Sequence, residues 1–481
     1  ATPAFRALQG CGQVLRERGL PSARCYYDLS YEAPEIEEFW SHSWHGQARR
    51  KILLLLLLKN GPAAIIAGTA SAFVMMLLYS ARILPSFYRK LPLFGSGEAY
   101  EFAPYSLIVG LTLCCTTLLL WRPRQAVFLD QICIHQHDGG LKTEGILNIG
   151  AIMKKSRSML VLWDATYVER LWCIFEMAAF LKSHEDERAD IVVRPTFMAP
   201  WTCYIFASWC VFSSFDIFVP YVSLIPVLMK FILIVPASCF LTGMFCRYYR
   251  GIQRMQEQLH SFSAENAKSQ CCSRGHDHEG GQASLCDRRV VLDCIRMWFG
   301  SVASFEEAVH CNVFAALSQR LGTLPFSYRW LVSAGAPCLW GHFDMVAARL
   351  RSSDWYWAAV VTLIALTWWL AAGPTLFVLP ATVANRLLRP GAATCWDFTV
   401  TAFGASVLVS VSVVTVLFQY LCLQLLCPLL GAVVFSVTTL IVVLLFWCHQ
   451  SSLLASTAEA ERPREDDREE DDREEDDREE D

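Results

Sequence analysis

Charge is what this chain has least of. Only 18% of its 481 residues are Asp, Glu, Lys or Arg, against 54% hydrophobic. An intrinsically disordered chain needs the opposite balance, a secreted mini-protein would be far shorter, and a simple soluble enzyme carries more charge. A signal peptide is also missing from view: residues 1–34 hold no apolar core behind a basic flank, although the chain starts at Ala1 without Met. Paired carboxylates inside apolar stretches, a filter-like repeat and two-fold internal symmetry are likewise lacking, which weighs against an ion or proton pathway. Twenty cysteines are present, but many lie in apolar runs (Cys114, Cys115, Cys422, Cys427), so they read as buried small residues and not as a disulfide framework. The net charge of −5 conceals a split. Glu459–Asp481 carries 16 acids and 5 arginines, leaving 30 acids and 36 Lys/Arg elsewhere, so a mildly basic chain ends in an acidic tail.

What is present in quantity is uncharged sequence. Asn60–Ala81 runs 22 residues without charge, Phe102–Trp121 runs 20, and Trp355–Asn385 runs 31. Pro195–Cys246 runs 52, interrupted only by Asp216 and Lys230, and Phe398–Ala458 runs 61. A hydrocarbon core about 30 Å thick needs about 20 apolar residues per helix, because lipid offers the backbone no hydrogen-bonding partner. The expectation is a polytopic α-helical membrane protein with about seven spans, near 62–80, 103–121, 199–219, 222–245, 356–380, 401–423 and 426–447. Lys230 is the one charge well inside a span, and Asp216 lies near a span end.

The segments between spans divide the chain. Residues 1–58 and 122–194 flank an inserted two-span hairpin at 59–121, spans three and four occupy 195–246, and 247–354 forms a second polar segment. Spans five to seven fill 355–448. The tail, 449–481, repeats Arg-Glu-Glu-Asp-Asp and cannot bury a core, so it reads as a disordered, solvated end.

Residues 126–193 alternate short apolar runs with helical periodicity. Ala126–Asp130 is a strand, Thr143 can cap a helix through Lys155, and Ser158–Trp163 is a buried strand. Leu171–Leu181 is a helix and Ala189–Val193 a third strand, while upstream Glu38–Trp44 supplies one more strand before a helix over Gln47–Lys59. Strand–helix repetition of this kind makes a right-handed doubly wound α/β unit. At Phe39–Trp44, Phe128–Asp130, Lys142–Ile149, Ser156–Trp163 and Tyr167–Ala178 the chain resembles a TIR domain. It is most similar to the TIR-like domains of multi-pass membrane proteins abundant in algal protists such as dinoflagellates. The most specific element is Arg170-Leu-Trp-Cys-Ile-Phe-Glu-Met177, with Glu176 four positions after Trp172. The hairpin insertion and Cys286-Asp-Arg288 also look similar to that type. Two features depart from the family: the hairpin interrupts the domain, and no fifth strand follows Val193, so a four-stranded sheet is expected.

The resemblance implies a flavodoxin-like fold, self-association with like domains, and NAD as a substrate whose nicotinamide–ribose bond is cleaved. Glu176 is then the candidate catalytic carboxylate, and one carboxylate suits an oxocarbenium-like state. Trp44 or Trp172 would flank nicotinamide, and Ser41 or Ser43 would stand at the carboxyl end of the first strand, where doubly wound sheets bind ligands. The plainer reading makes Glu176 a brace to Arg170 and Trp172 a core residue. Two further sets are candidates for metal: His135 with His137, and the zinc set Cys271, Cys272, His276 and His278 near Cys286. Arg247, Arg250, Arg254, Arg349 and Arg351 place 247–354 and the TIR-like domain in the cytosol, with Arg82, Arg89 and Lys90 arguing the other way. The expected partners are the bilayer and other TIR-like domains or a second copy, not nucleic acid. A transporter or channel with a regulatory TIR-like domain is the alternative.

Overall fold

The computed structural model describes residues 1–16, 25–90, 100–185, 190–218, 224–269, 272, 286–321 and 325–460. Cys271, His276, His278 and the acidic tail from 461 lie outside the described residues. So do the side chains of Asp216 and Lys230, for which only the helix path is given.

Seven strands are described: β1 (Thr2–Pro3), β2 (Glu38–His42), β3 (Tyr88–Lys90), β4 (Tyr100–Phe102), β5 (Ala126–Phe128), β6 (Ser158–Trp163) and β7 (Asp190–Pro195). Five form one sheet in the order β1-β5-β2-β6-β7. β5, β2, β6 and β7 run parallel, with Phe39 opposite both Phe128 and Met159, while β1 is antiparallel to β5. The first parallel strand in sequence, β2, is thus central: the chain adds β5 on one side, then β6 and β7 on the other. Burial follows that order. Every residue of β2 is buried, as a parallel strand covered on both faces requires. The sheet has one strand more than expected. Two-residue β1 is too short to carry a periodic signal, and Pro3, which has no N–H to give a ladder, suits its edge position.

The helix expected from Thr143 begins earlier. Asp138 caps it, its carboxylate accepting from the amides of Gly140 (2.8 Å) and Leu141 (3.0 Å). It then breaks at Asn148 into Gly139–Leu147 and Ile149–Lys154.

Among the described residues, four helices are long and apolar enough to cross a membrane: Gly61–Ser80, Trp355–Leu387, Thr394–Leu425 and Pro428–Gln450, with mean hydropathy from 1.7 to 2.7. Tyr105–Leu120 is equally apolar but shorter. Met198–Phe218 and Leu224–His260 follow the third and fourth expected spans. The first pair is tied at the domain end by Asn60, whose amide donates to the carbonyls of Leu118 (2.8 Å) and Trp121 (3.2 Å). Those carbonyls end a helix and have no partner within it. The sheet is not a separate body. Its core runs on without a gap into Tyr248, Ile252 and Met255 of Leu224–His260 and into Val291, Ile295 and Phe305 from the 247–354 segment.

Candidate functional site

The carboxyl ends of β2, β5 and β6 converge where the strand order reverses, and helix Leu171–Ser183 packs across them. Trp172 and Glu176, one turn apart, face the same way, so the Trp172 indole N–H donates to Glu176 Oε1 at 2.6 Å. Ser41 Oγ lies 2.6 Å from Glu176 Oε2 and 2.7 Å from the Tyr167 hydroxyl, which reaches the Cys173 carbonyl at 3.3 Å. Glu176 is 3% exposed and Ser41 1%. Burial with Asp130 nearby raises the Glu176 carboxyl to about 8, with the Ser41 and Trp172 contacts opposing it. Burial also lifts Tyr167 and Cys173 well above their ordinary values. Near neutral pH the group is a carboxylic acid. Ser41 and Trp172 donate to its two oxygens, and Tyr167 donates to Cys173 O.

A second set of contacts lies one step toward the loop ends. Ser43 Oγ meets Thr166 Oγ1 at 2.7 Å, and Thr166 donates in turn to Asp164 Oδ1 at 2.5 Å. The indole of Trp44 donates to Asp130 Oδ2 at 2.9 Å. Burial raises the Asp130 carboxyl, against the lowering effect of Trp44. The buried Lys51 ammonium donates to the Ser43 carbonyl. His42 lies edge-on to Trp44, its ring centroid 4.4 Å away, and is held neutral by burial first and by Lys51 second. A side chain at Gly46 would collide with the Asp164 carboxylate, so the loop after β2 closes tightly on β6. Several buried polar atoms here have no hydrogen-bond partner: His42 Nε2, Asp164 Oδ2, Trp163 Nε1, and Nε and Nη1 of Arg170.

Five of the expected site residues, Ser41, Ser43, Trp44, Trp172 and Glu176, therefore meet around one switch point. Glu176 takes its contacts from Ser41 and Trp172. Arg170 instead sits in a loop zipped to a remote strand segment, where Lys268 N donates to Glu169 O (2.8 Å), Leu171 N donates to Lys268 O (3.3 Å), and Lys268 pairs with Glu169 at 2.7 Å. Arg288 holds that segment by donating to the carbonyls of Ala264 (3.0 Å) and Ala267 (2.9 Å). Tyr167, Thr166, Asp164, Asp130, Lys51 and Arg288 were not found from the sequence. Each is a single polar residue without a spacing partner; Asp130 and Tyr167 had only bounded stretches of the resemblance, and Arg288 had only stood in Cys286-Asp-Arg288.

The metal candidates fare differently. His135 accepts from the Asp138 amide at 2.9 Å and stands near Cys25 and Tyr27, with the His137 ring 6.1 Å away. Cys272 and Cys286 place their sulfurs 3.7 Å apart, while the other expected zinc ligands fall outside the described residues. Among the described residues, no group of three or more His, Cys, Asp or Glu is placed to hold a metal.

No family model, characterised protein or solved structure matches the chain.

Proposed function

We propose that the chain is a multi-pass membrane protein whose TIR-like, flavodoxin-ordered cytosolic domain signals by association with like domains. Support for the TIR-like reading comes from the parallel strand order, in which the first strand is central, and from the helix that carries Trp172, Cys173 and Glu176 across its carboxyl ends. The observation that favours association over turnover is the burial of Glu176. A carboxylate can stabilise a ribosyl cation only when ionised and in contact with it. This one is covered, and burial keeps it protonated near neutral pH.

NAD hydrolysis is the second reading, favoured by the unpartnered His42, Asp164 and Arg170 atoms at the same strand ends, where doubly wound sheets take ligands. It requires the loops to open and Glu176 to ionise.

The experiment is NAD turnover by the purified full chain in lipid nanodiscs and in densely loaded vesicles, beside chemical cross-linking of the same samples. The expected result is density-dependent cross-linking without release of nicotinamide. Release that rises through pH 8 and disappears in Glu176→Gln would replace the association reading with the hydrolytic one.

A further inference from the structure

We propose that residues 328–351 cross the bilayer as an additional span, which makes eight crossings and returns the chain to the domain's side after the last helix. The proposal rests on the membrane reading above. It concerns a stretch, Tyr328–Ala334 followed by Ala336–Arg351, that the charge pattern assigns to a cytosolic segment because it contains Arg329, Asp344, Arg349 and Arg351.

The register of its contacts carries the argument. Against Gly61–Ser80, Trp340 reaches Gly68 and Thr69, and Phe343 meets Phe73 at 5.9 Å. Arg351 then donates to the carbonyls of Tyr79 (3.2 Å) and Leu84 (2.9 Å). The two helices therefore run parallel from Gly68 to Tyr79 of the first span. Met198–Phe218 gives the same sense: Trp330 donates to Thr202 Oγ1 at 2.7 Å, Gly335 sits beside Trp209, and Ser213 donates to Pro337 O at 3.2 Å. Tyr105–Leu120 runs the other way, with Trp340 against Gly110 but Asp344 at Ser106 and Leu107. Gly61 and Met198 both leave the domain, so the stretch also leaves it. Its two helices, 7 and 16 residues long, rise about 10 and 24 Å at 1.5 Å per residue, together comparable to a hydrocarbon core of about 30 Å.

Arg329 is exposed in the first turn, at the near end, and Asp344, Arg349 and Arg351 are met by partners at the far end. Asp344, 1% exposed, accepts from the amides of Ser106 (2.6 Å) and Leu107 (3.1 Å), the first-turn donors that a helix cannot satisfy itself. Both carboxylate oxygens are occupied, which suits a lock between helices and not an ion relay. Arg349 pairs with Asp354 at 3.0 Å, and Arg351 with Glu101 at 2.7 Å. Arg351 thereby joins the loop of Arg82 and Arg89, the cations that had argued against a common cytosolic face.

The remaining helices alternate consistently. Leu429 N donates to the Tyr356 hydroxyl at 3.0 Å, so the last helix starts at the far end. It finishes at the near end, where Gln450 donates to Thr382 (2.9 Å) and His449 meets Arg386 (3.2 Å). Arg250 and Asp397, 2.5 Å apart, mark that same near side.

Single cysteines test this in the full-length protein, in a background whose exposed native cysteines are serine. Reporters stand at Ile83→Cys and Ser353→Cys in exposed turns, at Glu265→Cys beside the domain, and after Asp481. In sealed vesicles an impermeant maleimide should label Ile83→Cys and Ser353→Cys from one side, and Glu265→Cys and the terminal reporter from the other. A Phe73→Cys/Phe343→Cys pair should cross-link under mild oxidation. Labelling of Ser353→Cys together with Glu265→Cys, labelling of the terminal reporter together with Ser353→Cys, or absence of the cross-link overturns the proposal. Release of the protein by alkaline carbonate would instead overturn the membrane reading on which it rests.

Discussion

Burial places Glu176 above its ordinary range, and that has a signed consequence for stability. The carboxyl titrates at about 8 when folded and near the ordinary 4.5 when unfolded, so between those limits the folded state holds one proton more. Stability contributed through this group therefore falls as pH rises from 4.5 to 8, by at most about 1.4 kcal/mol per pH unit, and is flat beyond. Glu176→Gln removes the titration while its carbonyl can still accept from Trp172 and its amide can donate to the Ser41 oxygen once that hydroxyl turns to Tyr167. Thermal melting in detergent should show the Gln variant gaining on wild type as pH rises, and a gap that does not change with pH would refute the buried neutral acid. Glu176→Ala is a different change. It leaves Ser41 and the Trp172 indole without their shared partner and should destabilise by about 1–3 kcal/mol. The Trp172–Glu176 spacing was legible in the sequence because one helical turn is a sequence-local relation. Ser41 as the third member, 135 residues from Glu176, was legible only as a residue at a strand end, and Tyr167 only as the first residue of a resembling stretch.

At the level of elements, small residues govern how closely the helices approach. A side chain at Gly68 would stand 2.9 Å from each of Cys114 Cβ, the Gly110 carbonyl and the Trp340 ring, so two helices meet there through bare backbone with the Trp340 ring of a third laid against both. Lipid provides little drive for helices to associate, and close backbone approach of this kind supplies the packing instead. Gly68→Val should cost about 1–3 kcal/mol through overpacking, whereas Gly61→Ala, with nothing within 4 Å, should be near neutral. Melting of the two variants in one detergent decides it, and equal loss in both would place the junction elsewhere. Between Leu224–His260 and Thr394–Leu425 the tie is ionic: Arg250 Nε lies 3.1 Å from both Asp397 oxygens and Nη2 lies 2.5 Å from one. The pair is largely buried at 17% and 28% side-chain exposure, so Asp397→Asn should lower the melting temperature measurably, and Asp397→Glu less. An Asn variant that melts with wild type would show the pair to be idle.

Across the whole molecule, the sheet shares its core with Leu224–His260 and with helices of the 247–354 segment. Phe197 packs on Tyr248 at 4.9 Å, and Tyr248 donates to the Leu321 carbonyl at 2.7 Å. A soluble piece joining residues 1–58 to 122–194 would expose that surface, so it should aggregate where the full chain in detergent stays monodisperse. A monodisperse piece with cooperative melting would show the sheet to be an autonomous domain.

Membrane class, the strands β2, β5, β6 and β7 and the Trp172–Glu176 pair were all determined by the sequence alone. Each rests on runs or spacings of neighbouring residues, which hydropathy and periodicity report directly. Strand order, the edge strand β1, the sealing of Glu176 and the place of Ala336–Arg351 were decided only in three dimensions. A helix with Asp344 and two arginines reads as soluble until its partners are known. In the fold those partners are the free amides at the start of Tyr105–Leu120, Glu101 and Asp354, brought to it from up to 250 residues away. A charge is costly in a low-dielectric interior only when nothing answers it, and what answers it is a matter of tertiary contact.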